Sequence, residues 1–450
     1  MGIFLNILVI GNGFDLSHFL PTKYDHFMYA MKSIQKYRQP ENGMSFDEIF
    51  IELPENEIPF ISKTKEIYDC TNIRLNQEQI LFFQNKLATN NWFEFFLNHV
   101  NEIKSWIDFE QKIEQALNFS VNAINIINDR HLKEKTFNLP IYNFKRDNST
   151  SYFFTDLQFN ILSFLNFITL ENVQIANGGR RAKLNSQFFI SQEYDLHGFN
   201  STKFISFLQD QLEEFIEIFN LYLTVVIDVL EPHSRFNVDE LKSVNKVFSF
   251  NYTNTFEKFY KNDIDIQYLH GKFGSEQNLV LGVSDIKDVS LKNLKAYGFT
   301  KYHQKILKDT QYKFLNVDIT ENKSYLKALE EAKTMRAACA NNHAYFQSYS
   351  KECERIESKI KSKNTNFLIW GHSLDISDEV YINEIFSFNE TIDNNVRVIV
   401  FHYDQKTKAE LLTNLFHILG KDKVERWMKE DWLVFKQNPA TAAQTEQAVA

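Results

Sequence analysis

The chain has 450 residues, enough for two or three domains or for one core carrying a large insertion. Hydrophobic residues make up 44% and charged residues 24%, which excludes wholesale disorder and a fibrous protein, while 43 Phe against 13 Gly and 7 Pro predict large aromatic cores and long unbroken helices. A net charge of −9 argues against nucleic acid or an anionic membrane as a whole-surface partner, and three scattered cysteines, Cys70, Cys339 and Cys353, build neither a disulfide framework nor a CxxC zinc pair.

The opening MGIFLNILVIGNG has an apolar run without a preceding basic region or a small-residue cleavage site, and Asn6 stands where a myristoylation motif carries Ser or Thr. The most apolar helix-like stretch, 215–230, holds Glu217, Asn220 and Asp228 and is too short and polar to span a bilayer. A soluble, cytoplasmic protein with no membrane partner is expected.

Residues 4–10 (FLNILVI) read as a buried strand running into the turn GNG. A helix over 24–37 follows, with Thr22 as its expected N-cap. From 40 to 240 the apolar spacing is mostly helical. The segments 90–119 and 204–230 each place aromatic and aliphatic residues along one broad face. Between them, 140–155 and 172–200 read as loops, with Gly178-Gly179-Arg180-Arg181 expected to be a mobile surface loop.

Strand signals return at 246–250, 264–269 and 279–283, then a helical stretch covers 291–362. A buried strand at 367–371, a helix at 378–388, a strand at 396–403, a helix at 406–419 and a strand near 431–436 complete the pattern. Apolar strands alternating with helices indicate an α/β fold: a Rossmann-like, mostly parallel sheet with a large helical insertion. The expected division is a core from 1–40 and 241–436, a helical lobe over 41–240, and a disordered Ala-rich tail over 437–450.

In an open parallel sheet, ligands bind outside the carboxyl ends of the strands. Four clusters fall at those points: GNGFD (11–15), FNYTNT (250–255), LHG (269–271) and GHSLD (371–375). Gly11 and Gly13 would let the backbone approach a phosphate, although Leu16 occupies the place of the third glycine of the dinucleotide fingerprint. Asn251 suits a ribose hydroxyl or a water, or else caps the helix after it. His270 suits a general base. Gly371-His372-Ser373 repeats the strand-glycine pattern, with Asp375 and Asp404 as flanking acids that can cap helices. Asp108, Glu110 and Lys112 resemble a nuclease element but read as solvated charges within a helix. His18 and His26 lack metal-ligand spacing, so no metal site is expected.

Taken together, ILVIGNGFDLSHFLPTKYDHF, FSFNYTNTFEKF, YLHG, LVLGVSD and IWGHSLDISD, in that order, resemble the bacterial abortive-infection AbiH family. The resemblance implies a phage-defence protein answering a phage-derived trigger. A more distant resemblance is to sirtuin-like NAD-consuming domains, which carry a GAG turn, a TNYD- or QNID-type block, an HG pair and a late G-x-S turn in the same order. By that likeness Asn251 and His270 would be catalytic. Gly11, Asn12, Gly13, Phe14, Asp15, Thr22, Tyr252, Gly271, Gly371, His372, Ser373, Asp375 and Asp404 would line a nucleotide site. Asn12 departs from the usual Ala, Thr253 stands where those domains place Asp, and their zinc module has no counterpart here.

Two functions are weighed on this basis. One is hydrolysis of NAD to nicotinamide and ADP-ribose, with no further cofactor. The other is a non-catalytic nucleotide-binding sensor that recognises a phage component through its helical lobe. A second copy of the chain is a further candidate partner.

Overall fold

A computed structural model describes residues 3–103, 105–145, 150–173, 175, 179–192, 195–261, 263–310, 314–390 and 396–439. Contacts divide the chain into two compact units. The first comprises Met1–Leu20, Pro232–Lys272 and Asp309–Ala450; the second comprises Pro21–Glu231 and Phe273–Lys308.

The first unit is built on six strands: β1 (Ile3–Ile10), β2 (Lys246–Ser249), β3 (Asp265–Tyr268), β4 (Lys363–Trp370), β5 (Val396–His402) and β6 (Leu433–Gln437). They pair in the order β3-β2-β1-β4-β5-β6, and every pair is parallel. The α/β, Rossmann-like expectation is met. β1 is central, with Ile10 level with Ser249 on one side and Trp370 on the other.

The apolar runs ILVI, FLIW and VIVF are continuous because both faces of the sheet are covered. Ile7, Val9, Phe367, Ile369, Val398 and Val400 enter one buried cluster, which also takes Ile382, Leu411, Leu415, Val424 and Trp427. Those five come from helices α5 (Glu379–Ile385), α6 (Gln405–Leu419) and α7 (Lys421–Lys429). Leu8, Ile10, Leu368 and Trp370 point the other way, against Phe14 of α1 (Asn12–Ser17) and Phe256 of α2 (Thr255–Phe259). Full burial of each such side chain is worth about 1.5–3 kcal/mol. Between β3 and β4 the unit adds two long helices, α3 (Asn316–Ala338) and α4 (His343–Ser362), joined around Ala332, Cys353 and Ile356.

In the second unit the aromatic residues collect. Phe96, Phe109 and Phe215 stack with ring centroids 4.2–5.6 Å apart, beside Phe27, Tyr24 and Trp106. The helix expected at 90–119 is two helices, Asn91–Asn98 and Trp106–Glu134. The second starts at Ser105, whose hydroxyl accepts the Asp108 N–H while the Asp108 carboxylate accepts the Ser105 N–H and hydroxyl. Asp108 is therefore a cap. Glu110 is not a solvated charge either: it pairs with Lys301 at 2.7 Å, and both are largely buried.

Other expectations need correction. Lys23, not Thr22, takes the N-cap position of Tyr24–Lys36, and Thr22 is buried. The segments expected as loops hold three strands (Ile141–Tyr142, Tyr152–Phe153, Arg181–Leu184) of a four-stranded sheet completed by Ile168–Glu171, and the hairpin Phe189–Gln192 with Asp195–Phe199. Gly178 lies outside the described residues. Arg180 is held by Asn160 and Asp156 over the Phe159 ring, and Arg181 pairs with Glu171, so this stretch is anchored.

LVLGV at 279–283 is not a strand. The Gln304 side chain serves the Leu281 N–H and C=O, and a single bridge links Val283 to Thr300. Helix α7 was not foreseen. The tail over 440–450 lies outside the described residues. Among the described residues, no helix is long and apolar enough to cross a membrane.

Candidate active site

The strand order reverses between β1 and β4, where an open parallel sheet leaves its crevice. Two glycine turns meet there. The N–H of Gly11 donates to the Trp370 carbonyl (3.1 Å) and that of Gly13 to the Gly371 carbonyl (2.9 Å). A Cβ on Gly371 would lie 2.1 Å from the Phe14 nitrogen, and one on Gly11 would lie 2.6 Å from the His372 Cα. Gly371 also has φ +71°, which favours glycine. These glycines thus interlock the exits of β1 and β4. The Gly11 and Gly13 N–H groups, expected to approach a phosphate, point at the end of β4 and its turn instead.

The chain leaving β1 enters α1, whose first turn carries Asp15, 1% exposed. One carboxylate oxygen accepts from Asn251 Nδ2 at 3.0 Å and the other from Thr253 Oγ1 at 2.6 Å. Thr255 Oγ1 donates in turn to Thr253 Oγ1 at 3.0 Å. Burial pushes the Asp15 pKa up to about 6, against the lowering effect of these hydrogen bonds. Asn251 does not cap α2, since Asn254 occupies that position. Its Oδ1 is buried and meets no donor among the described residues.

At the end of β3, His270 is buried, and its Nε2 lies 3.3 Å from Asp378 Oδ1. At the end of β4, His372 Nδ1 accepts the Leu374 N–H at 2.9 Å, so in the neutral ring Nε2 carries the proton. That Nε2 faces Asp378 Oδ2 at 3.5 Å. One buried carboxylate therefore stands between two imidazoles. The Phe250 ring lies edge-on to both, at 5.1 Å from His270 and 4.2 Å from His372, and Tyr381 closes against it at 5.2 Å. The sharp exit of β4 depends on Gly371 and on Leu374, which holds φ +53°.

The remaining candidates separate into parts of the turns and caps. Phe14 is fully buried and packs edge-on against Trp370 at 5.0 Å. Gly271 turns the chain at φ +81° after β3, and Tyr252 and Asn12 are partly buried at the same edge. Ser373 is exposed, and its carbonyl accepts from Asn414. Asp375 caps the turn Ile376–Asp378 through the Ser377 N–H, and Asp404 caps α6 through Thr407. Thr22 belongs to the second unit. Among the described residues, no group of three or more His, Cys, Asp or Glu is arranged to hold a metal ion.

Asp378 was missed from the sequence, as were the Phe250 wall and the Thr255–Thr253 relay. The available signal was the repeat Asp375-x-x-Asp378, in which the first acid caps the turn and the second is carried back over the strand ends.

The family model described as bacteriophage abortive infection AbiH matches residues 7–403. No curated protein and no solved structure matches the chain, so the sirtuin-like order of motifs stands on these residues alone. The match covers both glycine turns, Asn251, His270, His372 and Asp378. The chain belongs to the bacteriophage abortive infection AbiH family, and its role is bacterial anti-phage defence by abortive infection.

Proposed function

We propose that the defence output is hydrolysis of NAD(+) at the carboxyl edge of the sheet, giving nicotinamide and ADP-ribose. The observation that supports this most is the buried His270–Asp378 pair, with Asn251 next in the chain to Phe250, whose ring lies 5.1 Å from His270, at the ends of β2, β3 and β4. In the reaction the bond between C1′ of the ribose and the pyridinium nitrogen breaks. Its electron pair neutralises the ring, which leaves as nicotinamide, and a water oxygen bonds to C1′.

His270 takes the proton of that water. The Asp378 carboxylate, 3.3 Å from Nε2, favours the cationic imidazole once the proton arrives. Asn251 orients the ribose and the water, so that little remains to be organised at the transition state. His372 and Phe250 close the other side of Asp378, keeping the pair in a low-dielectric setting where its electrostatic effect is large.

Purified protein, alone and with lysate from phage-infected cells as trigger, is assayed for free nicotinamide. Native protein should release it, and Asn251→Ala and His270→Ala should each lower kcat by roughly 100-fold or more. Unchanged NAD under every condition, or full turnover in both variants, would sink the reading. Saturable NAD binding without turnover would instead favour the sensor.

A further inference from the structure

We infer that Asp15 is a positioning residue that locks the Asn251 amide in one orientation, with Oδ1 turned toward the ligand, so that the end of β2 offers an acceptor to a ribose hydroxyl or to the attacking water. The ligand named here rests on the NAD reading above; the locking itself does not.

The argument is one of proton direction. An ionised carboxylate can only accept hydrogen bonds. With its pKa raised to about 6, Asp15 is ionised at neutral pH. Asn251 must therefore present its NH2 to Asp15, and the 3.0 Å contact shows it doing so. Turning the amide over would set Oδ1 against the carboxylate, acceptor against acceptor. The second oxygen of Asp15 is held by Thr253, whose own oxygen accepts from Thr255, so the protons of this chain run toward Asp15.

What remains is Asn251 Oδ1, buried in a residue only 3% exposed and meeting no donor among the described residues. A buried acceptor left in this state costs about 1–3 kcal/mol, which a ligand that brings a hydroxyl or a water relieves. Both oxygens of Asp15 are already engaged, so its work is done through Asn251 and not by touching the ligand.

The test uses the full chain with Asp15→Asn, Asn251→Ala and the double variant, with Thr253→Val as a second route to the same network. Asp15→Asn keeps the size of the side chain but accepts either orientation of the neighbouring amide. Nicotinamide release should fall roughly 30-fold in kcat with KM within about threefold, and the double variant should be no slower than Asn251→Ala alone. Thr253→Val should show the same pattern more weakly.

A substrate-free readout is hydrogen exchange at the side-chain NH2 of Asn251, followed by NMR and assigned by its loss in Asn251→Asp. Protection should drop about tenfold or more in Asp15→Asn. Unaltered protection, or kcat losses that multiply in the double variant, overturns the assignment. If native protein releases no nicotinamide, the NAD reading fails, and the exchange measurement still decides whether Asp15 holds the amide.

Discussion

Asp15 and His18 stand three residues apart, and burial drives them in opposite directions. The Asp15 pKa rises to about 6, while that of His18 falls to about 4. Burial among Phe236 and Trp370 keeps His18 neutral, against the opposing pull of the Phe14 carbonyl on Nδ1–H (2.7 Å), while Nε2 faces the Tyr260 hydroxyl (2.5 Å). Between pH 4 and 6 the folded state holds a proton on Asp15 that the unfolded chain has lost, so this residue makes stability fall as pH rises. Over pH 4 to 6.5 the unfolded chain protonates His18 and the folded state does not, so stability rises with pH. Each slope amounts to about 3 kcal/mol, and the two largely cancel. Asp15→Asn removes the falling limb. Its urea midpoint, read by Trp370 fluorescence, should climb steeply from pH 4.5 to 6.5, whereas the native midpoint should stay nearly level. A parallel course for the two proteins would contradict the assignment.

At the scale of the element, the interlocked turns of β1 and β4 are the least tolerant place in the first unit. Gly371→Ala must adopt a positive φ and set its Cβ 2.1 Å from a backbone nitrogen, with no flexible neighbour to yield. A loss of at least about 3 kcal/mol is expected, measured by thermal unfolding, against about 1–2 kcal/mol for Gly420→Ala, where the strain of a positive φ acts alone because the space around it is open. These turns were legible in the sequence because a buried parallel strand is a continuous apolar run and the glycine ends it. Asp378 was not legible, because its meeting with His270 and His372 depends on two residues of positive φ, Gly371 and Leu374, that no periodicity reports. Strands of two to four residues such as Ile141–Tyr142 are too short to show alternation, and the break between Asn98 and Trp106 was hidden by an apolar pattern that runs across it. In LVLGV, a strand-like sequence was overridden by the Gln304 side chain, which satisfies the backbone in place of a neighbouring strand.

At the scale of the whole molecule, each unit has its own core and its own tryptophans. Trp370, Trp427 and Trp432 lie in the first, Trp92 and Trp106 in the second. Separate cores predict separate cooperative transitions. A Trp92→Phe/Trp106→Phe protein and a Trp370→Phe/Trp427→Phe/Trp432→Phe protein, unfolded in urea by fluorescence, should give midpoints that differ. Coincident midpoints would mean that the two cores melt as one.

The central place of β1 also has a consequence for synthesis. This strand is made first, yet its neighbours begin only at Lys246 and Lys363. At about 5–20 residues per second, β1 waits roughly 12–50 s for the first of them. His270 and Asp378 can meet only after β4 and the turn behind it have left the ribosome. On the proposed function, a nascent chain, or a product that ends before residue 378, lacks the His270–Asp378 pair and should release no nicotinamide.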